Sequence, residues 1–121
     1  MALQNAIVKQ DMSDFGKKIR AARREKKISL RKLASQLGIS FTYLSKIESG
    51  EMAPPAENKI YNIADKLGLD VDELFILAQK LPQELSDLAL RPEMPKILRA
   101  TKGLSQNELR ELLETINNSE R

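Results

Sequence analysis

Nine cationic side chains stand between positions 17 and 32: Lys17, Lys18, Arg20, Arg23, Arg24, Lys26, Lys27, Arg31 and Lys32. Glu25 is the one acid among them, so the local charge is +8. A patch of that sign attracts phosphate backbones or acidic membrane surfaces. A solvated helix face is the bland use of such a run. Residues 48–73 lean the other way, with seven acids against Lys59 and Lys66. The whole chain carries only +3, so the distribution of charge is more informative than its total. Covalent chemistry is poorly provided for. The absence of Cys removes disulfides, thiolate nucleophiles and thiolate metal sites, and the absence of His removes the commonest general base and metal ligand. No G-x-S-x-G, P-loop or G-x-G-x-x-G occurs. The chain is therefore not expected to be an enzyme, and neither a metal nor a cofactor is expected.

A second group of chemically useful residues lies in "LRKLASQLGISFTYLSKIESG", residues 30–50. Leu33, Ala34, Leu37, Leu44 and Ile47 have the spacing of two short helices with a turn between them. Ala34 is small enough for a close crossing, and Gly38 is free to take a positive φ in the turn. Once Leu44 and Ile47 are assigned inward, Phe41, Thr42, Ser45 and Lys46 are left facing outward. Thr42 and Ser45 can exchange hydrogen bonds with base edges. Lys46 can reach guanine O6 and N7, or a phosphate. Phe41 can pack on a thymine methyl, or serve as a half-buried staple. The Tyr43 ring is expected to pack inward with its hydroxyl near a phosphate.

These positions need a scaffold, and the punctuation implies an all-α one. A first helix is expected from about Ser13 to Lys26, with Phe15, Ile19 and Ala22 inward. Ser29 caps a second, burying Leu30, Leu33, Ala34 and Leu37, and Ser40 caps a third. A fourth after Pro54-Pro55 carries Ile60, Ile63, Ala64 and Leu67. Asp70 opens a fifth, with Glu73 three residues on and Leu69 and Leu74 as a hydrophobic staple. Gly38, Gly50, Gly68 and Gly103 each follow such a run, where a helix-ending glycine belongs. Beyond Leu81 the chain holds two short helical pieces broken by prolines. A last helix follows, with Ser105 and Glu108 as a capping box, Leu104 and Leu109 as a staple, and a frayed "NNSER" end. No apolar run reaches the about 18–20 residues of a membrane span. The start "MALQNAIVKQDMSD" lacks the features of a signal peptide. A cytoplasmic location without membrane partners is expected.

Residues 15–80 resemble the Cro/CI-type (XRE-type) helix-turn-helix domain of bacterial and phage repressors. The matching stretches are "IRAARREKKISLRKLASQLGISFTYLSKIESG" and "IYNIADKLGLDVDELF". The resemblance implies a five-helix, lambda-repressor-like domain over 13–80 that binds double-stranded operator DNA as a homodimer. It places Phe41, Thr42, Ser45 and Lys46 on the recognition helix. It also implies an ion pair, Arg23 with Glu48, tying that helix to the first. One departure is Leu30, where the family often has a phosphate-binding Gln. Arg31, Lys32, Ser49, Lys17 and Arg20 are the candidates for phosphate contact, together with Tyr43.

Residues 1–12 are expected as a flexible extension and 81–121 as a helical dimerisation or regulatory region. About 40 residues are too few for an independent core. Leu85, Leu88, Leu109, Leu112, Leu113 and Ile116 therefore need cover, from the first domain or from a second chain. The tail loosely resembles those of short repressors controlled by a zinc metallopeptidase, which implies a regulatory protease as a partner. The alternative keeps the fold and makes the chain a protein-interaction module or antitoxin whose tail binds another protein.

Overall fold

The computed structural model describes the backbone of residues 2–119 and the side chains of residues 14–119. It is all-α, with no strand among the described residues. The helices are α1 (Ala2–Glu25), α2 (Leu30–Leu37), α3 (Phe41–Ser49), α4 (Glu57–Leu67), α5 (Val71–Leu77), α6 (Gln83–Ala89), α7 (Met94–Ala100) and α8 (Gln106–Ser119). They fall into two compact units, divided between Pro82 and Gln83. The extension expected over residues 1–12 coincides with the start of α1, whose side chains lie outside the described residues.

In the first unit, helical spacing brings one stripe from each of five helices into a common core. Phe15 and Ile19 come from α1, Leu33, Ala34 and Leu37 from α2, and Leu44 and Ile47 from α3. Ile60, Ile63, Ala64 and Leu67 follow from α4, and Leu74 and Phe75 from α5. Each large apolar side chain so buried contributes roughly 1.5–3 kcal/mol before ordering costs. The Tyr61 ring meets Phe75 edge-on at 5.2 Å. Leu30, expected among the buried residues of α2, is only half-buried at the rim of this core. It is the first residue of α2, on the same stripe as Leu33, Ala34 and Leu37.

Short side chains set the helix starts. Ser29 Oγ accepts from Lys32 N, Ser40 Oγ from Tyr43 N, and Asp70 Oδ1 from Asp72 N. Each satisfies an amide that the helix itself leaves without a partner. Glu73 does not complete a box with Asp70; its carboxylate lies 2.8 Å from Lys18 Nζ on α1. At the helix ends the pattern is mixed. Gly38 ends α2 at φ 68°, with Ile39 N donating back to Ala34 O. Lys27 and Gln79 take the same left-handed conformation without being glycine, at φ 57° and 56°. Gly103 does not: Thr101 closes α7 instead, its hydroxyl donating to Leu98 O at 2.7 Å.

The second unit has a different character. In it α6 packs against α7. No described side chain of α6, α7 or α8 is buried. Ser105 and Glu108 cap α8 reciprocally, Glu108 Oε1 accepting from Ser105 N and Ser105 Oγ from Glu108 N. Leu104 and Leu109 both stay more than a third exposed. Asn117, Asn118 and Ser119, expected to fray, lie within α8, although Asn and Ser are weak helix formers. Among the described residues no helix is long and apolar enough to cross a membrane.

Candidate nucleic-acid interface

The site is built around α3, and four devices fix that helix. The first is the turn Gly38–Ser40, which redirects the chain and caps α3 at once. The second is apolar: Leu44 and Ile47 are fully buried. The third is ionic. Glu48 is the one buried charged residue among those described. Arg23 Nε donates to its Oε2 at 2.7 Å and Nη2 to its Oε1 at 3.0 Å. This is the two-pronged geometry a planar guanidinium offers a carboxylate. Arg23 Nη1 also donates to Ile28 O at 3.0 Å, so the fork secures the end of α1 as well. The Glu48 hydrogen bond holds the guanidinium above its ordinary pKa, against the opposing effect of burial. No buried side-chain nitrogen or oxygen among the described residues lacks a partner.

A fourth device has no counterpart in the turn chemistry. Gly16, in the interior of α1, is buried against the last turn of α3. A Cβ there would run into the carbonyl oxygens of Ile47 and Glu48 and stand 2.8 Å from the Glu48 carbonyl carbon. The absence of a side chain is what lets the two backbones approach. The spacing of Ala34 and Gly38 points to one close crossing; this second one was announced only by an unexplained glycine between Phe15 and Ile19. Lys59 was also not foreseen: its Nζ donates to Leu37 O at 2.8 Å, satisfying an end carbonyl of α2 from α4.

With the inward face fixed, the remaining positions can be placed. Thr42, Lys46 and Ser49 are exposed on α3, and Tyr43 and Ser45 are half-buried. Tyr43 packs against the core. The Ser49 hydroxyl is engaged locally, donating to Lys46 O at 3.1 Å and accepting from Glu51 N at 3.3 Å. Phe41 is 39% exposed, and the Arg31 guanidinium carbon lies 4.4 Å from its ring centroid. That contact brings the first turns of α2 and α3 together. Arg31 and Lys32 are exposed, as is Lys17 on α1. Arg20 is half-buried, and its Nε lies 3.5 Å from Glu48 Oε1. It thus shares the carboxylate with Arg23 rather than standing free with Lys17. The dimerisation candidates Leu85, Leu88, Leu109, Leu112, Leu113 and Ile116 lie in the second unit, each 37–58% exposed. No cluster of carboxylates able to hold a metal ion occurs among the described residues.

A family profile described as a helix-turn-helix domain matches residues 16–80. Three curated relatives come from Bacillus subtilis (strain 168). The uncharacterized HTH-type transcriptional regulator RghRB is 34% identical over 79 residues, 63% of this chain and 57% of its own length. The HTH-type transcriptional repressor RghR is 33% identical over 67 residues, 55% of this chain and 50% of its own. This chain therefore spans about half the length of either. The HTH-type transcriptional regulator SinR is 33% identical over 102 residues, 83% of this chain and 89% of SinR. Among solved structures, the clp gene regulator ClgR of Corynebacterium glutamicum superposes with a TM-score of 0.50 at 24% identity, over 76% of this chain and 90% of ClgR. Matched by the profile over more than half its length, and spanning most of SinR, the chain belongs to the XRE-type helix-turn-helix family.

Proposed function

We propose that the chain is a DNA-binding transcriptional regulator that lays α3 in the major groove of an operator and represses by occluding a promoter. The observation that carries this reading is the division of α3. Leu44, Ile47 and Glu48 lock one face to the core, while Thr42 and Lys46 stand exposed on the other with polar side chains turned to solvent. A rigid helix with a polar outward face is what major-groove readout requires. The basic run Lys17–Lys32 supplies the sequence-independent attraction to phosphate. Kinship with HTH-type regulators, one of them named a repressor, supports the same assignment.

In this reading the operator is palindromic and the protein a homodimer, because one motif covers too few base pairs to select a site among genomic competitors. The second unit makes the dimer. Roughly half of each side chain in the stripe Leu109, Leu112, Leu113 and Ile116 still faces water. Covering these four against a second copy contributes roughly 3–5 kcal/mol gross before ordering costs. The exposed connections around Pro92 and Gly103 are where a controlling protease would part the two functions. The same apolar surface supports a second reading, in which the tail holds a different protein and the chain is an interaction module or antitoxin.

Selection from a random duplex pool tests the main reading. The wild type should enrich a two-fold symmetric site. Thr42→Ala and Lys46→Ala should each relax a base position at a cost of about 1–3 kcal/mol, or, for a phosphate contact, weaken all sequences alike. A wild type that enriches no sequence excludes operator binding. Sedimentation separates the two uses of the tail: a chain that stays monomeric at high concentration favours a foreign partner.

A further inference from the structure

We propose that Phe41 is a positioning residue and not a base reader: it holds the Arg31 guanidinium at the joint between α2 and α3 as a fixed phosphate clamp. The inference rests on the DNA-binding reading and goes beyond it by giving two exposed side chains of that joint a shared role.

Arg31 belongs to the first turn of α2 and Phe41 to the first turn of α3. Ten residues separate them in sequence, yet the guanidinium carbon sits 4.4 Å from the ring centroid, well inside the range of a cation–π contact. One face of the ring is thereby occupied, and a thymine methyl cannot use it. Arg31 has no acidic partner: the ion pairs found among the described residues are Lys18–Glu73, Arg20–Glu48 and Arg23–Glu48. Its charge is thus confined in space without being neutralised. A ring has no acceptor lone pairs, so the five N–H donors of the guanidinium keep their capacity for an outside anion. Confinement also removes part of the rotamer entropy that a free arginine loses on binding. Lys32, its neighbour on the same turn, is exposed and has no such platform. The two cations should therefore differ in effect although they are adjacent in sequence.

The test is duplex binding measured across a salt series with the full chain, together with pool selection. Each phosphate contact adds about 0.9 to the slope of log affinity against log salt, so losing one lessens the fall over a fourfold salt rise by about threefold. Arg31→Gln should show that loss. Phe41→Leu should show it too, although it removes no charge, and the double variant should match either single one. Phe41→Tyr, which keeps a ring, should restore the wild-type slope. The selected sequence should be the same for all. An unaltered slope in Phe41→Leu, or a selected site changed at one base, overturns the proposal while leaving operator binding intact. A wild type with no salt-dependent duplex binding overturns both. Thermal melts of each variant, expected to overlay the wild type because both side chains are at the surface, exclude unfolding as the cause.

Discussion

Gly16→Ala sets two physical effects against each other, and they differ in sign. In an isolated helix the change is favourable, since alanine exceeds glycine in helix propensity by about 0.8–1.0 kcal/mol. In this protein the new methyl group meets the backbone of α3. Its carbon would stand 2.8 Å from the Glu48 carbonyl carbon, against the 3.4 Å at which ordinary contact begins. The helices must separate by at least about 0.6 Å, and the two carbonyl oxygens nearby ask for more. Neither side can yield by rotating a side chain, because both are backbone. Overpacking of this kind costs typically ~1–3 kcal/mol, and here the upper part of that range applies. Subtracting the propensity gain leaves a net loss of about 1–2 kcal/mol, or a fall in Tm of roughly 4–16 °C for a domain of this size. Separation also lengthens the Arg23–Glu48 fork, which spans the same two helices. Calorimetry of the variant checks the stability, and operator affinity reads the tilt of α3. A variant as stable as the wild type, or more so, would refute the close approach, because propensity alone would then account for it.

Arg23→Met should be among the most destabilising single changes, at about 3–5 kcal/mol, because it leaves Glu48 buried without its main partner; urea unfolding measures it, and Arg20 at 3.5 Å should recover part of the loss. Because the folded protein raises the pKa of Arg23, its contribution is complete below the ordinary arginine pKa and is lost only above the raised value. Stability should therefore be flat across neutral pH as far as this group is concerned. Lys27→Gly should raise stability by about 0.5–1 kcal/mol in thermal melts, since Lys27 holds φ 57° where a side chain is strained. A chain ending at Pro82 should fold, sediment as a monomer and bind half-sites weakly; undiminished affinity for a full palindrome would place dimerisation in the first unit.

Much of the fold can be read from local chemistry because short-range rules agree with one another here. Ser29, Ser40 and Asp70 announce their helices, and Gly38 announces the turn. The stripes of α3 and α4 leave little choice about what is inward. What escapes such reading is contact between distant segments. Gly16 looks like a defect in a helix until α3 is laid against it. Glu73 has the spacing of a capping box, yet Lys18 from another helix takes it. The end of α1 is read to within a residue, at Lys26 against Glu25, but its left-handed stop is not: Lys27 does a glycine's work without being one. In the candidate site, the exposure of Thr42 and Lys46 follows from subtracting the buried stripe. The engagement of Ser49 with its own helix end, and of Arg20 with Glu48, depends on side-chain geometry that periodicity does not carry.

Glu48 and the exposed residues of α3 share one helix but answer to different constraints. Replacing Thr42 or Lys46 disturbs no buried contact, so, if α3 reads DNA as proposed, the preferred sequence can change without crossing a barrier of misfolding. Duplicated copies of such a gene would drift apart in address before they drift apart in architecture. Among their descendants the fork and the glycine crossing should persist while the outward letters of α3 diverge.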